Sequence, residues 1–231
     1  MIHCLGLDWR LWRDVIPELS EQYRLIAYDL HGHGYASNSP KIESIQQLVD
    51  DLVRLMDELN LKSARIAGHS LGGRVAQQMA LRHPERVTSL ALVCTMARTA
   101  RQAMQSRADE AERQGMTSQV APSLLRWLTP EVVAENPWYV RYARARVIRS
   151  LAPNWAAAWR ALAQFDVLEE LQAISVPTNV IAAEKDLTAS PEEYMRPIAD
   201  RIPGAKLSLI PGAPHLAPLV KPHEVATLLA H

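Results

Sequence analysis

Cysteine is scarce in this chain. Only Cys4 and Cys94 occur, far apart and outside any C-x-x-C pair. Two such residues build neither a disulfide framework nor a zinc knuckle, and they predict reduced thiols and a cytoplasmic protein. Net charge is absent too: Lys+Arg and Asp+Glu both total 25. That balance excludes binding to nucleic acid or a membrane surface through a global field. No run of 18 apolar residues is present, so no transmembrane helix is predicted. The segment Met1-Ile2-His3-Cys4 lacks the basic and apolar regions of a signal peptide. What is present is ordinary globular material. Apolar residues make up 48 % and charged residues 22 % of 231 positions, which excludes wholesale disorder and suits one α/β core.

Short β-rich runs alternate with helical periodicity. Residues 24–28 read as a buried strand closed by Asp29 and a Gly-rich turn. Over 45–59, Ile45, Leu48, Val49, Leu52, Leu55, Met56 and Leu59 repeat on one helical face, with Ser44 as N-cap and Asn60 as C-terminal stop. A strand over 64–67 runs into Gly68. A helix follows over 71–83, and Pro84 ends it. Further strands are predicted over 89–93, 178–183 and 206–210, with a helix over 192–201. This alternation predicts a mostly parallel sheet with helices on both faces.

Residues 97–163 break the rhythm. They read as helical throughout and hold Trp127, Trp138, Trp155 and Trp159. The expected organisation is a core of 1–96 and 164–231 with a helical lid of 97–163. The segment from Arg98 to Arg160 carries ten Arg, no Lys and five acids, so it is +5 and the rest of the chain −5. Such a face is either solvated surface or a positive wall over an anionic substrate. On the second reading, Trp138, Tyr139, Arg141, Arg144 and Trp155 are candidate substrate-binding residues, with Arg146 a further candidate.

The chemistry concentrates at Gly68-His69-Ser70-Leu71-Gly72, between a predicted strand and a predicted helix. The glycines allow a sharp turn that exposes Ser70 Oγ, and the helix N-terminus offers the Leu71 N–H to a developing oxyanion. A serine hydroxyl needs a base. His215, after the strand at 206–210, supplies one, and Asp186, after the strand at 178–183, would orient it. All three lie at C-terminal strand ends, where an open parallel sheet places its site. Glu184 is an alternative to Asp186, and His223 is a rival to His215. His69 either touches substrate or packs the turn. His31 and His33 lack a third ligand at metal spacing, so a Gly-rich turn is expected there and no metal.

With these residues in view, the chain resembles the α/β-hydrolase superfamily along essentially its whole length. The matching pieces are Ile2-His3-Cys4-Leu5-Gly6, Asp29-Leu30-His31-Gly32-His33-Gly34, Gly68-His69-Ser70-Leu71-Gly72-Gly73, Glu184-Lys185-Asp186 and Ala213-Pro214-His215. Within it, the chain is most similar to 3-oxoadipate enol-lactonases. That likeness rests on Leu5-Gly6-Leu7-Asp8 with Trp12, Arg126-Trp127-Leu128-Thr129-Pro130, and Phe165-Asp166-Val167 before Leu171. The resemblance implies Ser70, Asp186 and His215 as a catalytic triad and the Leu5 N–H as second oxyanion donor. It also implies that the chain starts at the third strand of the usual fold, the first two being absent. Two departures stand out: Cys4 replaces the usual glycine after His3, and the serine turn is one shared by many esterases.

The expected function is hydrolysis of a carboxylic ester or lactone through an acyl-enzyme, with 3-oxoadipate enol-lactone in aromatic catabolism as the leading substrate. Alternatives on the same triad are a broad carboxylesterase, a C–C hydrolase of ring-cleavage products and a cofactor-free haloperoxidase-like perhydrolase. A non-catalytic receptor or inactive fragment is the alternative of a different class. No cofactor is expected, and the expected partner is a small ester or lactone, anionic on the positive-wall reading, rather than nucleic acid or membrane.

Overall fold

Four parallel strands make the sheet in the computed structural model, which describes residues 1–230: β1 (Ala64–His69), β2 (Val87–Val93), β3 (Thr178–Ala183) and β4 (Lys206–Ile210). Their spatial order is β1-β2-β3-β4. The register pairs His69 with Val93, Val93 with Ile181 and Ala183 with Ile210, so the C-terminal ends of the strands line up at one edge. Val180, Ile181, Ala182 and Ala183 are all fully buried, as expected of a parallel strand covered on both faces. His231, the last residue of the expected core, lies outside the described residues.

Helix α1 (Ile45–Glu58) forms where the periodicity places it. Ile45, Leu48, Val49, Leu52 and Met56 are buried, and Ser44 Oγ accepts the Gln47 N–H at 3.2 Å as an N-cap. The chain leaves α1 through Asn60 at φ 55°, a left-handed position that asparagine tolerates. Helix α2 (Leu71–Arg82) crosses from β1 to β2 and stops before Pro84, which cannot continue the ladder.

Between β2 and β3, among the described residues, come five α-helices, then a 3-10 helix (Leu168–Ala173), and no strand; the α-helices are α3 (Arg101–Gln114), α4 (Met116–Trp127), α5 (Pro130–Glu135), α6 (Trp138–Arg149) and α7 (Ala152–Ala163). Helix α3 packs along α7, and α4 along α6. The two ends of this insertion are clipped together: the Val167 N–H donates to Ala97 O at 2.9 Å, and Arg98 Nε donates to Asp166 Oδ2 at 2.8 Å. The insertion therefore leaves and re-enters the sheet layer at one place. The helix expected over 192–201 opens with a single wide turn, Pro191–Met195, before α8 (Arg196–Arg201). Pro197 has no N–H to give that turn, so the regular ladder begins only after it. Helix α9 (Pro222–Ala230) closes the chain.

One expectation fails. Residues 24–28 form no strand ladder; only Tyr28 makes an isolated parallel bridge, to Ile2, which bridges Gly68 in turn. Ile2 sits beside β1 through its N–H to Ala67 O at 2.8 Å and its carbonyl, which accepts the His69 N–H at 3.0 Å. Just after Ile2 the chain bends away at Gly6, φ 80°. A single residue offers too few alternating groups to hold an extended neighbour in a ladder. Among the described residues, no helix is long and apolar enough to cross a membrane.

Candidate active site

Ser70 stands between the last residue of β1 and the first of α2, at φ 54° and ψ −111°. A non-glycine residue held there is strained, and the surroundings impose it. Its N–H donates to Val93 O at 3.0 Å, and its carbonyl accepts the Thr95 hydroxyl at 2.6 Å. The flanking glycines are required by close approach. A Cβ on Gly68 would lie 2.2 Å from Gly72 O, and one on Gly72 would lie 2.3 Å from Ile2 O. The turn is thus pressed against β2 on one side and the Ile2–Leu5 segment on the other, and Ser70 stays partly exposed at the sheet edge.

The structure brings Asp186 and His215 together. His215 Nδ1 donates to Asp186 Oδ2 at 2.7 Å, and both side chains are buried. Asp186 Oδ1 accepts the backbone N–H groups of Thr188 at 2.7 Å and Ala189 at 2.8 Å. Burial by itself would raise this carboxyl; the imidazole and the two N–H donors outweigh it, so it lies below its ordinary value and stays ionised. Glu184 is elsewhere: its Oε2 accepts the Gly212 N–H at 2.6 Å. His223 is exposed beside Glu18. The two sequence alternatives are therefore occupied outside the site.

His69 supports His215 rather than pointing outward. It is fully buried, its Nε2 donates to the His215 carbonyl at 2.7 Å, and the two rings lie 4.9 Å apart. Burial first, then the neighbouring His215, push His69 down to about 3. Cys94, at φ 45°, fills the floor beside Asp186; burial and that carboxylate push its thiol up, so it stays neutral. Among the described residues, His69, Cys94 and His215 form a group that could offer ligand atoms to a metal, within 4.8 Å of one another. One nitrogen of each imidazole is already committed, to the His215 carbonyl and to Asp186. His3 accepts the Leu30 N–H at Nε2 (2.8 Å) and donates from Nδ1 to Cys4 O (2.7 Å), which holds the Leu5 turn in place; burial holds it well below its usual value.

These buried neutral histidines give a pH prediction. Values lowered in the folded chain mean that the unfolded chain binds more protons below pH ~6.5. The stability present above that pH is lost as pH falls toward the folded values. The Tm should fall steadily between pH 7.5 and 5.5, and His69→Gln, whose amide can still donate to His215 O, should flatten the slope. A Tm independent of pH over that window would contradict it.

Gly6 adopts φ 80°, and a Cβ there would lie 2.4 Å from the Trp155 ring. Trp155 is thus packed on the Leu5–Gly6 turn, with Trp127 and Trp159 rings each 6.3 Å away. The other sequence candidates sit apart from it. Trp138 stacks under Arg13 at 4.7 Å and against Tyr139. Arg141 and Arg144 both donate to Asn136, closing the turn between α5 and α6. Arg146 approaches Asp8 at 3.1 Å as an ion pair without hydrogen-bond geometry. Asp8 itself had no role assigned from sequence. Fully buried, it accepts from Tyr142 Oη at 2.7 Å and from Arg10 Nη1 at 3.1 Å, tying α6 to the loop that carries Leu5. The Leu5-Gly6-Leu7-Asp8 run held the only signal for it.

Compared with known proteins, residues 1–222 match the family described as alpha/beta hydrolase fold. The chain belongs to that family. As an α/β hydrolase it is 33 % identical over 183 residues to 3-oxoadipate enol-lactonase 2 of Acinetobacter baylyi, covering 79 % of this chain and 68 % of the relative. It superposes on the enol-lactonase from Burkholderia xenovorans LB400 with TM-score 0.93 at 29 % identity, over 100 % of this chain and 90 % of the other. A thermophilic esterase from Thermogutta terrifontis, solved with malate bound, gives TM-score 0.92 at 28 % identity over 99 % and 86 %. This α/β hydrolase is an enzyme of the kind that hydrolyses esters or lactones. In that frame the five-helix insertion stands over the C-terminal strand edge, where Trp127 O accepts the Leu216 N–H beside His215 at 3.1 Å.

Proposed function

We propose that the chain is a serine hydrolase acting through an acyl-enzyme on Ser70, with an enol-lactone of the 3-oxoadipate class as its substrate. One observation carries the mechanism: a strained serine at the sheet edge, next in the chain to His69, whose ring packs on a buried His215 with Nδ1 already bound to Asp186. Only Nε2 of His215 is then left to take the Ser70 proton. Ser70 Oγ attacks the lactone carbonyl, and the N–H groups of Leu5 and Leu71 receive the oxyanion; neither is spent on a backbone acceptor outside a helix among the described residues. His215 returns the proton to the leaving enol, which tautomerises to the ketone. Water, activated by the same imidazole, then releases the acid. The substrate assignment is supported by the enol-lactonases among the relatives.

A panel of p-nitrophenyl acetate, a long-chain ester, an anionic enol-lactone and a vinylogous ring-cleavage product tests it, together with labelling by a fluorophosphonate. The expected result is labelling at Ser70 and highest kcat/KM on the enol-lactone. Labelling without lactone turnover would return the protein to general carboxylesterase, and no labelling would remove the nucleophile.

A further inference from the structure

The arginines of the insertion are not equivalent. Arg98, Arg146 and Arg160 are paired with carboxylates. Arg141 and Arg144 are spent on Asn136, and Arg101, Arg113 and Arg149 are exposed. Arg107 and Arg126 remain. Both are partly buried, and among the described residues neither has a carboxylate within ion-pair distance. Their guanidinium carbons lie 4.9 and 6.0 Å from the centroid of the Trp159 ring. Arg74 adds a third unpaired cation. It sits on α2 one turn after Ser70, is buried, and donates from Nε to Met96 O at 3.3 Å.

The same region has donors without acceptors. Arg126 Nε, Trp155 Nε1 and Trp159 Nε1 are all buried with no hydrogen-bond partner. Buried donors left unpaired are costly, and native proteins rarely keep several side by side without a purpose. Burial and the neighbouring Arg107 push Arg126 down to about 10; burial pushes Arg74 down to about 9. Glu110 is the acid whose charge reaches Arg126, yet it forms no ion pair with it. Like charges gathered around one indole, with no acid in ion-pair contact, form a cradle for an anion. The indole face covers the two guanidiniums from one side; Arg126 Nη2 donates to Ser123 Oγ at 3.2 Å and Arg107 Nη1 to Met104 Sδ at 3.6 Å, and their other N–H groups are left for a ligand.

Three contacts tie residues of the cradle, or their chain neighbours, to the candidate active site. Arg126 O accepts the Thr188 hydroxyl, two residues from Asp186, at 3.1 Å. Trp127 O binds the residue after His215, and Trp155 packs on the Leu5–Gly6 turn. We propose that Arg107 and Arg126, stacked on Trp159 and backed by Arg74, bind the free carboxylate of a dicarboxylic half-ester or lactone while Ser70 attacks its other end. This rests on the serine-hydrolase reading above. It assigns recognition to arginines other than those nearest Trp138 in sequence.

The test compares two probes with one acyl chain and one leaving group: 4-nitrophenyl hydrogen adipate, which is anionic, and methyl 4-nitrophenyl adipate, which is neutral. In the wild-type enzyme kcat/KM should favour the anion by about tenfold or more. In Arg107→Gln and Arg126→Gln that ratio should fall toward one, mainly through KM, and Arg126→Lys should restore it only in part, because an ammonium lacks the fork. Arg113→Gln removes the same charge from an exposed site and should keep the ratio. If either glutamine variant fails to fold, competitive inhibition of the wild type decides: adipate should inhibit and adipamide should not. A wild-type ratio near one, a ratio unchanged in both glutamine variants, or equal inhibition by the two compounds would overturn the proposal. Ser70→Ala separates it from the reading beneath it. If that variant still hydrolyses the neutral probe, the nucleophile is wrong whatever the arginine ratio shows.

Discussion

Ser70→Ala should lower kcat for ester or lactone hydrolysis by about 10⁴-fold or more. The physical reason is that, in the acyl-enzyme mechanism proposed above, only the serine oxygen forms the covalent intermediate; what would remain is whatever the oxyanion donors and binding provide to water. Folding should survive. The bonds that hold this residue are from its backbone, to Val93 and from Thr95, and alanine keeps the same backbone and Cβ. The Tm should therefore move by only a few degrees while fluorophosphonate labelling disappears. Residual activity above about a tenth of wild type in a folded variant would show that Ser70 is not the nucleophile.

Asp186→Asn should cost about as much, on the order of 10⁴-fold in kcat, with the fold intact. The Thr188 and Ala189 N–H groups now donate to Oδ1 and would hold the amide oxygen of asparagine there. Its NH₂ would then face His215 Nδ1, which would have to become an acceptor. The imidazole is forced into the tautomer with its proton on Nε2, the nitrogen needed to deprotonate Ser70. Glu184→Gln removes a carboxylate of the same strand end but only one that holds the Gly212 N–H, and kcat should change by less than about twofold. Steady-state rates of the two variants on one substrate decide the assignment; a larger loss in Glu184→Gln would move the acid to Glu184.

Much of this was legible in the chain because it is local. The alternation of strands and helices, the Ser44 cap and the Pro84 stop depend on neighbours a few residues away, and the structure keeps them. The Gly68–Gly72 turn is local too: its glycines are needed by contacts of under 2.5 Å that no Cβ survives. Strand ends marked Asp186 and His215 because a parallel sheet brings those ends to one edge. The segment 24–28 was misread for the complementary reason. Its apolar pattern suits a strand, but a ladder needs a neighbour of matching length, and Ile2 alone offers one bridge.

Which carboxylate faces His215 and which arginines have no acid partner was decided only by tertiary structure. Glu184 and Asp186 are two residues apart and chemically alike; the direction each side chain takes from the end of β3 sends one to Gly212 and the other to His215. The positive balance of the insertion was plain from sequence, yet charge counts do not say which cations already have partners. Asp8 takes Arg146, Asn136 takes Arg141 and Arg144, and Arg107 and Arg126 are left on Trp159. Electrostatic pairing acts over a few ångströms between residues far apart in the chain, so only the packing of α3, α4 and α7 over the sheet could single out the two that remain unpaired.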